Sequence, residues 1–202
     1  MTQLPLAETL ADFWALIYDY SCVSLVTMNQ PKDLDQTYMA FWPQCGSASY
    51  GPFQVKLVSE KLEPGFSVRH LRLKNLNQKT QRDIKMLQLD NWPMGTPVPQ
   101  SPDTIIRILQ EVETWQKNID KPVLVSCWDG ASRSGLFCAA SIVCEQIRRE
   151  GLVDVFQAAK TTRSSRPQVI ATAAQYTFCY ELAETYLHMQ TPNYRETNER
   201  PH

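Results

Sequence analysis

Cys127 and Arg133 lie six positions apart, where a short apolar segment ends and a segment with helical periodicity begins. A loop between a buried strand and a helix points its N–H groups and the positive end of the helix dipole at one spot, and both favour an anion. Arg133 can hold two oxygens of a phosphate group, and the same field favours the Cys127 thiolate. The spacing therefore predicts a phosphate cradle in which Cys127 attacks phosphorus, forming a cysteinyl-phosphate intermediate, and Ser134 hydrogen-bonds the departing sulfur.

The predicted phosphate-binding loop is a continuous run, and its members are Cys127, Trp128, Asp129, Gly130, Ala131, Ser132 and Arg133. A cysteine followed six positions later by an arginine arises often by chance, but the combination with a preceding strand, a following Ser-Gly and an apolar helix is much rarer. The alternative interpretation is a small cysteine that merely fills the core.

Composition restricts the classes of protein that could carry this loop. The chain has 202 residues, 43% hydrophobic and 20% charged, with a net charge of -1, which is typical of one globular domain and not of a polyanion-binding protein. No apolar run approaches the roughly 18–20 residues of a membrane span, and the N-terminus lacks the pattern of a signal peptide. Six scattered cysteines and three histidines show no metal-ligand spacing, so we expect a reducing, cytosolic compartment, no disulfide scaffold, no metal and no cofactor.

Hydrophobic periodicity predicts the elements that must position the loop. The predicted strands are Cys22–Met28, Tyr50–Val58, Phe66–Leu73, Asp83–Leu89 and Val123–Val125, and the predicted helices are Leu6–Tyr20, Thr104–Trp115, Gly135–Ile147, Asp154–Ser165 and Thr172–Leu187. Four prolines exclude regular structure from Pro93 to Pro102. This order predicts a single α+β domain over residues 1–189, with a twisted mixed β-sheet flanked by helices, and a polar tail over residues 190–202.

The loop resembles the signature of phosphotyrosine-specific protein phosphatases, His-Cys-Ser-x-Gly-x-Gly-Arg-Thr-Gly. The resemblance covers nearly the whole chain, and its further landmarks are Thr2-Gln3-Leu4-Pro5, Asp12-Phe13-Trp14, Phe41-Trp42-Pro43, Asn91-Trp92-Pro93-Met94, Val153–Gln157, Arg166-Pro167 and Gln175–Phe178. The pattern is most similar to the second, membrane-distal domain of receptor-type enzymes, which is often weak or inactive. It implies a cytoplasmic location and, as partner, a phosphotyrosine protein or a neighbouring phosphatase domain.

Several positions depart from the family pattern, and each departure weakens the implied hydrolysis. Met94 stands at the place of the aspartate that serves as general acid, a role a thioether cannot take, and the nearest carboxylates are Asp90 and Asp103. Ser126 replaces the histidine that supports a low thiol pKa. Asp129 stands at the place of a small residue; pointing inward, it opposes the thiolate and a phosphate dianion by about 4 kcal/mol, and pointing outward it has little effect. The shortness of the loop favours the inward orientation.

The remaining departures concern the pocket and its supports. Trp128 is bulky beside the nucleophile, and it either narrows the pocket or packs on the surface. Ala171 replaces one glutamine that positions the hydrolytic water, although Gln175 remains for that role. Gln36-Thr37 stands where the family has a Glu-Lys pair that supports the mobile loop. The resemblance also starts after the loop whose tyrosine forms a wall of the phosphotyrosine pocket, so we expect this chain to lack that wall.

The sequence leaves three hypotheses for function. The first, which the vacated roles of acid, thiol activation and water positioning favour, is a non-catalytic regulatory or docking domain of a receptor-type phosphatase. The second is a slow phosphotyrosine hydrolase that works through a cysteinyl-phosphate intermediate. The third is a redox-responsive module in which Cys127 is reversibly oxidised.

Overall fold

A computed structural model describes residues 1–30 and 40–190 of the chain. The helices of this part are α1 (Leu10–Asp19), α2 (Pro102–Gln116), α3 (Ser132–Glu150), α4 (Val155–Ser165) and α5 (Ala173–Gln190), with a 3-10 turn at Ala7–Thr9. The strands are β1 (Thr2–Gln3), β2 (Ser24–Thr27), β3 (Ser47–Tyr50), β4 (Phe53–Glu63), β5 (Phe66–Asn75), β6 (Thr80–Leu89) and β7 (Val123–Cys127).

All strands of the described residues belong to one seven-stranded sheet, in the order β1-β7-β2-β6-β5-β4-β3. The half that contains β1, β7, β2 and β6 is parallel, and the half from β6 to β3 is antiparallel. The predicted single α+β domain with a mixed sheet is therefore confirmed. The parallel half matters for function, because the carboxyl ends of β7, β2 and β6 meet at one edge, and loops that follow such ends commonly form binding sites.

Helices cover both faces of the sheet, and each face has its own apolar core. One core joins the sheet to α2–α5, and its fully buried members include Val26, Leu87, Ile106 and Ala139. The other lies under α1 and contains Trp14, Ile17, Leu25 and Val55. The parallel strands are buried on both faces, which explains why β2 and β7 read as short continuous apolar runs rather than as alternating ones.

The element predictions are confirmed in kind and corrected at several ends. The predicted strand Tyr50–Val58 is wrong at its start, because β3 ends at Tyr50 and β4 begins at Phe53. Gly51, with φ at +58°, and Pro52 form the turn between them, and Tyr50 pairs with Phe53 across it. The sequence reasoning missed β1, and it missed β3 except for Tyr50. Helix α5 continues through Gln190, the first residue of the predicted tail, and residues 191–202 lie outside the described residues.

Candidate active site

Strand β7 and helix α3 hold the cradle loop, residues 127–133. Cys127 ends β7 and is fully buried, and α3 begins at Ser132. Between them, Gly130 has φ at +67°, and a Cβ atom there would lie 2.4 Å from the backbone nitrogen of Gln3 in β1. Any residue with a side chain would clash at this distance from a neighbouring backbone, so glycine allows the loop to turn directly against β1. The strand–loop–helix arrangement expected from the spacing is present.

A second close approach fixes the start of α3. A Cβ atom added at Gly135 would lie 2.4 Å from the side chain of Val169, which is fully buried in the segment between α4 and α5. The first turn of α3 therefore lies directly against that segment. Together with the contact at Gly130, this packing sets the direction in which the N–H groups at the helix N-terminus point.

Asp129 points into the cradle, as the shortness of the loop predicts. Its Oδ1 accepts the backbone N–H groups of Ala131 at 2.9 Å and Ser132 at 3.0 Å, and also the thiol of Cys127 at 3.1 Å. The carboxylate thus caps the N-terminus of α3, where the helix dipole favours a negative charge. It also takes up N–H groups that a cradle of this kind offers to an anion.

The two ionisable groups of the cradle are shifted in opposite directions. Burial raises the pKa of the Cys127 thiol above its ordinary value, and Asp129 raises it further, although Ser134, whose N–H lies 3.4 Å from Sγ, acts the other way. Burial also acts to raise the pKa of the Asp129 carboxyl, but the hydrogen bonds from Ala131, Cys127 and Ser132 outweigh it and bring that pKa below its ordinary value. The cradle therefore favours a carboxylate beside a neutral thiol.

Arg133 is buried and directs its guanidinium at the neighbouring loop. Nη1 donates to the carbonyl oxygens of Met28 at 3.1 Å and Trp92 at 2.8 Å, and Nη2 donates to that of Pro93 at 2.8 Å. Its guanidinium carbon lies 4.6 Å from the centre of the Trp92 ring. The arginine thus links the cradle to the Met94 loop, residues 92–97.

Met94 reaches the site at the position where the resemblance places a general acid. Its sulfur lies 3.5 Å from Nδ2 of Asn29 and 3.6 Å from Nη2 of Arg133. The two nearest carboxylates in the sequence are engaged elsewhere: Asp90 accepts a hydrogen bond from the Ser67 hydroxyl, and Asp103 lies in the first turn of α2. Neither of them lines the cavity at the site.

Two other substituted positions lie on either side of Cys127. Ser126 is fully buried, and its hydroxyl donates to the carbonyl oxygen of Val26 at 3.5 Å, so it contributes no charge to the cradle. Trp128 keeps its side chain 40% exposed at the rim, while its N–H donates to Oδ1 of Asn29 at 3.0 Å. Asn29 was missed by the sequence reasoning, because an isolated asparagine after a strand carries no motif.

The cradle and the Met94 loop enclose a cavity of about 280 Å³, lined by Trp92, Met94, Gly95, Thr96, Pro97, Trp128, Ser132, Arg133 and Gln175. Gln175 is buried and its Oε1 accepts the N–H of Ala171 at 2.9 Å. Ala171 itself lines a separate groove and has no polar side chain to offer. Gln175 therefore lines the cavity, and its predicted role in positioning water stays a prediction. Gln36 and Thr37 lie outside the described residues.

The comparison with family models decides what kind of domain this is. The model of the protein-tyrosine phosphatase family matches residues 1–185. The chain belongs to this family. The predicted family membership is thereby confirmed, while the roles of individual residues in the site stay predictions.

Curated relatives of the chain are receptor-type tyrosine-protein phosphatases. It is 35% identical to receptor-type tyrosine-protein phosphatase U of Gallus gallus over 93% of the chain, 34% identical to type alpha of Mus musculus over 92%, and 32% identical to type S of Gallus gallus over 92%. The chain spans 13%, 23% and 12% of the lengths of these relatives. It thus resembles a phosphatase domain within proteins that are several times longer.

The described residues contain neither a helix that could span a membrane nor a cluster of metal-binding side chains. No helix within residues 1–30 and 40–190 is long and apolar enough to cross a membrane. In the same residues, no three His, Cys, Asp or Glu side chains are grouped so that they could hold a metal ion. The cysteines are all free thiols.

Proposed function

We propose that this domain is a catalytically impaired tyrosine phosphatase that serves as a regulatory or docking domain of a receptor-type phosphatase, on the cytoplasmic side of the membrane. The observation that carries the proposal is the inward carboxylate of Asp129. It accepts hydrogen bonds from Ala131 and Ser132, whose N–H groups a bound phosphate would need, and from the thiol of Cys127. The cradle supplies its own anion, and a phosphate dianion would have to displace it against like-charge repulsion.

The acid and base steps of hydrolysis are also without a suitable group. Met94 cannot protonate a leaving phenolate or activate water, and general acid–base help is typically worth ~10²–10⁴-fold in rate. The raised pKa of Cys127 further reduces the population of the thiolate nucleophile near neutral pH. Three steps are therefore disfavoured, each for a separate physical reason: binding of the phosphate dianion, formation of the thiolate and protonation of the leaving group.

A docking role is supported by what is retained. The sheet, the helices and the packing that shapes the cradle are intact, so a rigid surface of the family remains available to a partner. The resemblance to second domains of receptor-type enzymes points to a neighbouring phosphatase domain, or to a phosphotyrosine protein, as that partner.

The alternative is a slow hydrolase, and one observation favours it. Arg133 and Gln175 line the same cavity, and the Ser134 N–H still donates to the Cys127 sulfur at 3.4 Å, so several groups that the chemistry would use are retained. A redox-responsive module receives less support, because Cys127 is fully buried and its pKa is raised, whereas oxidation requires an accessible thiolate.

Turnover of a generic aryl phosphate tests the proposal. We expect the unaltered chain to hydrolyse it no faster than Cys127→Ser, which removes the nucleophile and serves as the blank. A rate that Cys127→Ser abolishes would show a working hydrolase and would overturn the proposal. Alkylation of Cys127 with iodoacetamide at increasing pH complements this assay: we expect slow labelling near neutral pH, and fast labelling under mildly acidic conditions would contradict the neutral thiol.

A further inference from the structure

A single buried amide joins the two loops that enclose the cavity. Asn29 follows β2 and is 1% exposed. Its Oδ1 accepts the Trp128 N–H of the cradle at 3.0 Å, and its Nδ2 donates to the sulfur of Met94 at 3.5 Å. One side chain thus contacts the backbone of one loop and the side chain of the other.

The backbone that carries Asn29 is itself firmly held. The N–H of the preceding residue, Met28, donates to the carbonyl oxygen of Ser126 at 2.8 Å, and the Met28 carbonyl accepts Nη1 of Arg133 at 3.1 Å. Asn29 therefore extends from a fixed point at the end of the parallel strands. A contact made from such a point limits the motion of the group that it holds.

The chemistry of the side chain suits this double contact. The amide offers an acceptor for the Trp128 N–H and a donor for Met94 at opposite ends of one short planar group. Leucine has the same branching and the same number of side-chain heavy atoms, but it would make neither contact and would remove the Asn29 acceptor of the Trp128 N–H, which is costly. Arg133 makes a second connection of the same kind, because it also joins the end of β2 to the Met94 loop.

We propose that Asn29 is a positioning residue that couples the cradle to the Met94 loop, so that the two loops move as one unit. Asn29 does not line the cavity and acts only through Trp128 and Met94. The coupling goes beyond the proposed function, because it would be present both in a catalytically inactive domain and in a slow hydrolase. Its consequence is that a change of anion in the cradle is transmitted to the rim of the cavity.

Hydrogen exchange followed by mass spectrometry tests the coupling in the full chain. For Asn29→Leu we expect exchange to accelerate together in residues 92–97 and 127–133, by roughly fivefold to tenfold, which corresponds to the loss of a buried hydrogen bond. Asn75→Leu is the matched control, since Asn75 is also a buried asparagine at a strand end, and its Oδ1 accepts only the nearby N–H groups of Asn77 and Gln78. Acceleration confined to residues 127–133 would overturn the coupling.

A second variant decides the matter even if Asn29→Leu does not fold. Met94 is 43% exposed, so Met94→Leu should fold normally while removing the sulfur acceptor. We expect the side-chain amide protons of Asn29 to shift in the NMR spectrum, with the backbone N–H of Trp128 shifting in the same sample. A shifted Asn29 amide beside an unchanged Trp128 N–H would refute the proposal, because the two ends of Asn29 would then be independent.

Discussion

The cradle and the Met94 loop face each other across one cavity, but different kinds of interaction hold them. The cradle is shaped by close packing at two glycines, with Gly130 against the β1 backbone and Gly135, in the first turn of α3, against the Val169 side chain. The Met94 loop is held largely by polar contacts to side chains, from Arg133 and Asn29. Packing of this kind does not depend on which polar groups line the cavity, so the cradle should keep its shape when those groups are changed.

Substitution of one glycine in each loop tests this difference most strongly. Gly130 and Gly95 both have positive φ, but a Cβ atom at Gly130 would meet the β1 backbone, whereas one at Gly95 would meet nothing within 4 Å. We expect Gly130→Ala to lower the free energy of unfolding by about 3 kcal/mol or more, and Gly95→Ala by only about 1–2 kcal/mol. Denaturant unfolding measures both values. Equal losses would show that the approach to β1 does not shape the cradle.

Removal of the internal carboxylate should change anion binding next most strongly. We expect Asp129→Ala to tighten the binding of vanadate or sulfate by about tenfold or more, because a like charge leaves the cradle. Titration followed by NMR shifts of the loop amides gives the affinity. Asp154→Ala is a suitable control, since it removes a carboxylate that caps α4 in the same way, through the N–H of Gln157 at 2.8 Å. Unchanged affinity in Asp129→Ala would indicate that Asp129 does not compete with the anion.

The Asp129 carboxylate should also make the stability of the fold depend on pH, and this effect is smaller. Because the pKa of Asp129 in the folded protein lies below its ordinary value of 3.8, the ionised form stabilises the fold. This contribution is present above about pH 4 and is lost as the pH falls through the folded pKa. We expect Asp129→Asn to be less stable than the unaltered chain by about 1 kcal/mol at neutral pH. The difference should shrink in strong acid, and a difference independent of pH would contradict this assignment.

Restoring an acid on the Met94 loop should by itself have the smallest effect. While Asp129 disfavours a phosphate dianion and the Cys127 thiolate in the cradle, an introduced acid has no leaving phenolate to protonate. We expect Met94→Asp to change kcat/KM on an aryl phosphate by less than about twofold. Combined with Asp129→Ala, the gain should exceed the product of the single effects, since anion binding must precede acid catalysis. Adding Ser126→His should raise it further. A large gain from Met94→Asp alone would show that the loops are independent.

The sequence predicted the order of strand, loop and helix around the cradle, because its signals are local. An apolar run, a cysteine and a helical pattern follow each other directly, and a short loop leaves Asp129 little room to turn outward. The split between β3 and β4 was also visible in principle, since Gly51-Pro52 is a turn signal inside the predicted strand. These features depend on residues that are neighbours in the chain.

The contacts that the sequence did not reveal all join distant parts of the chain. Asn29 meets Trp128 across 99 positions, and Arg133 meets the Trp92 carbonyl across 41. Such contacts depend on the order of the strands, which periodicity does not encode. The two-residue strand β1 was missed for the same reason, because its partner among the described strands is β7, which lies more than 100 residues later in the sequence.

That short strand has a consequence for the order of folding. Thr2 and Gln3 pair with Ser126 and Cys127, about 120 residues later in the chain, and contacts of such separation are costly to close and slow to form. The antiparallel strands can assemble from neighbours in the chain. Gly130, in contrast, packs against β1 only after residues 2–3 have paired with residues 126–127. We therefore expect the cradle to be completed late, and detachment of those first residues to open it while the core remains folded.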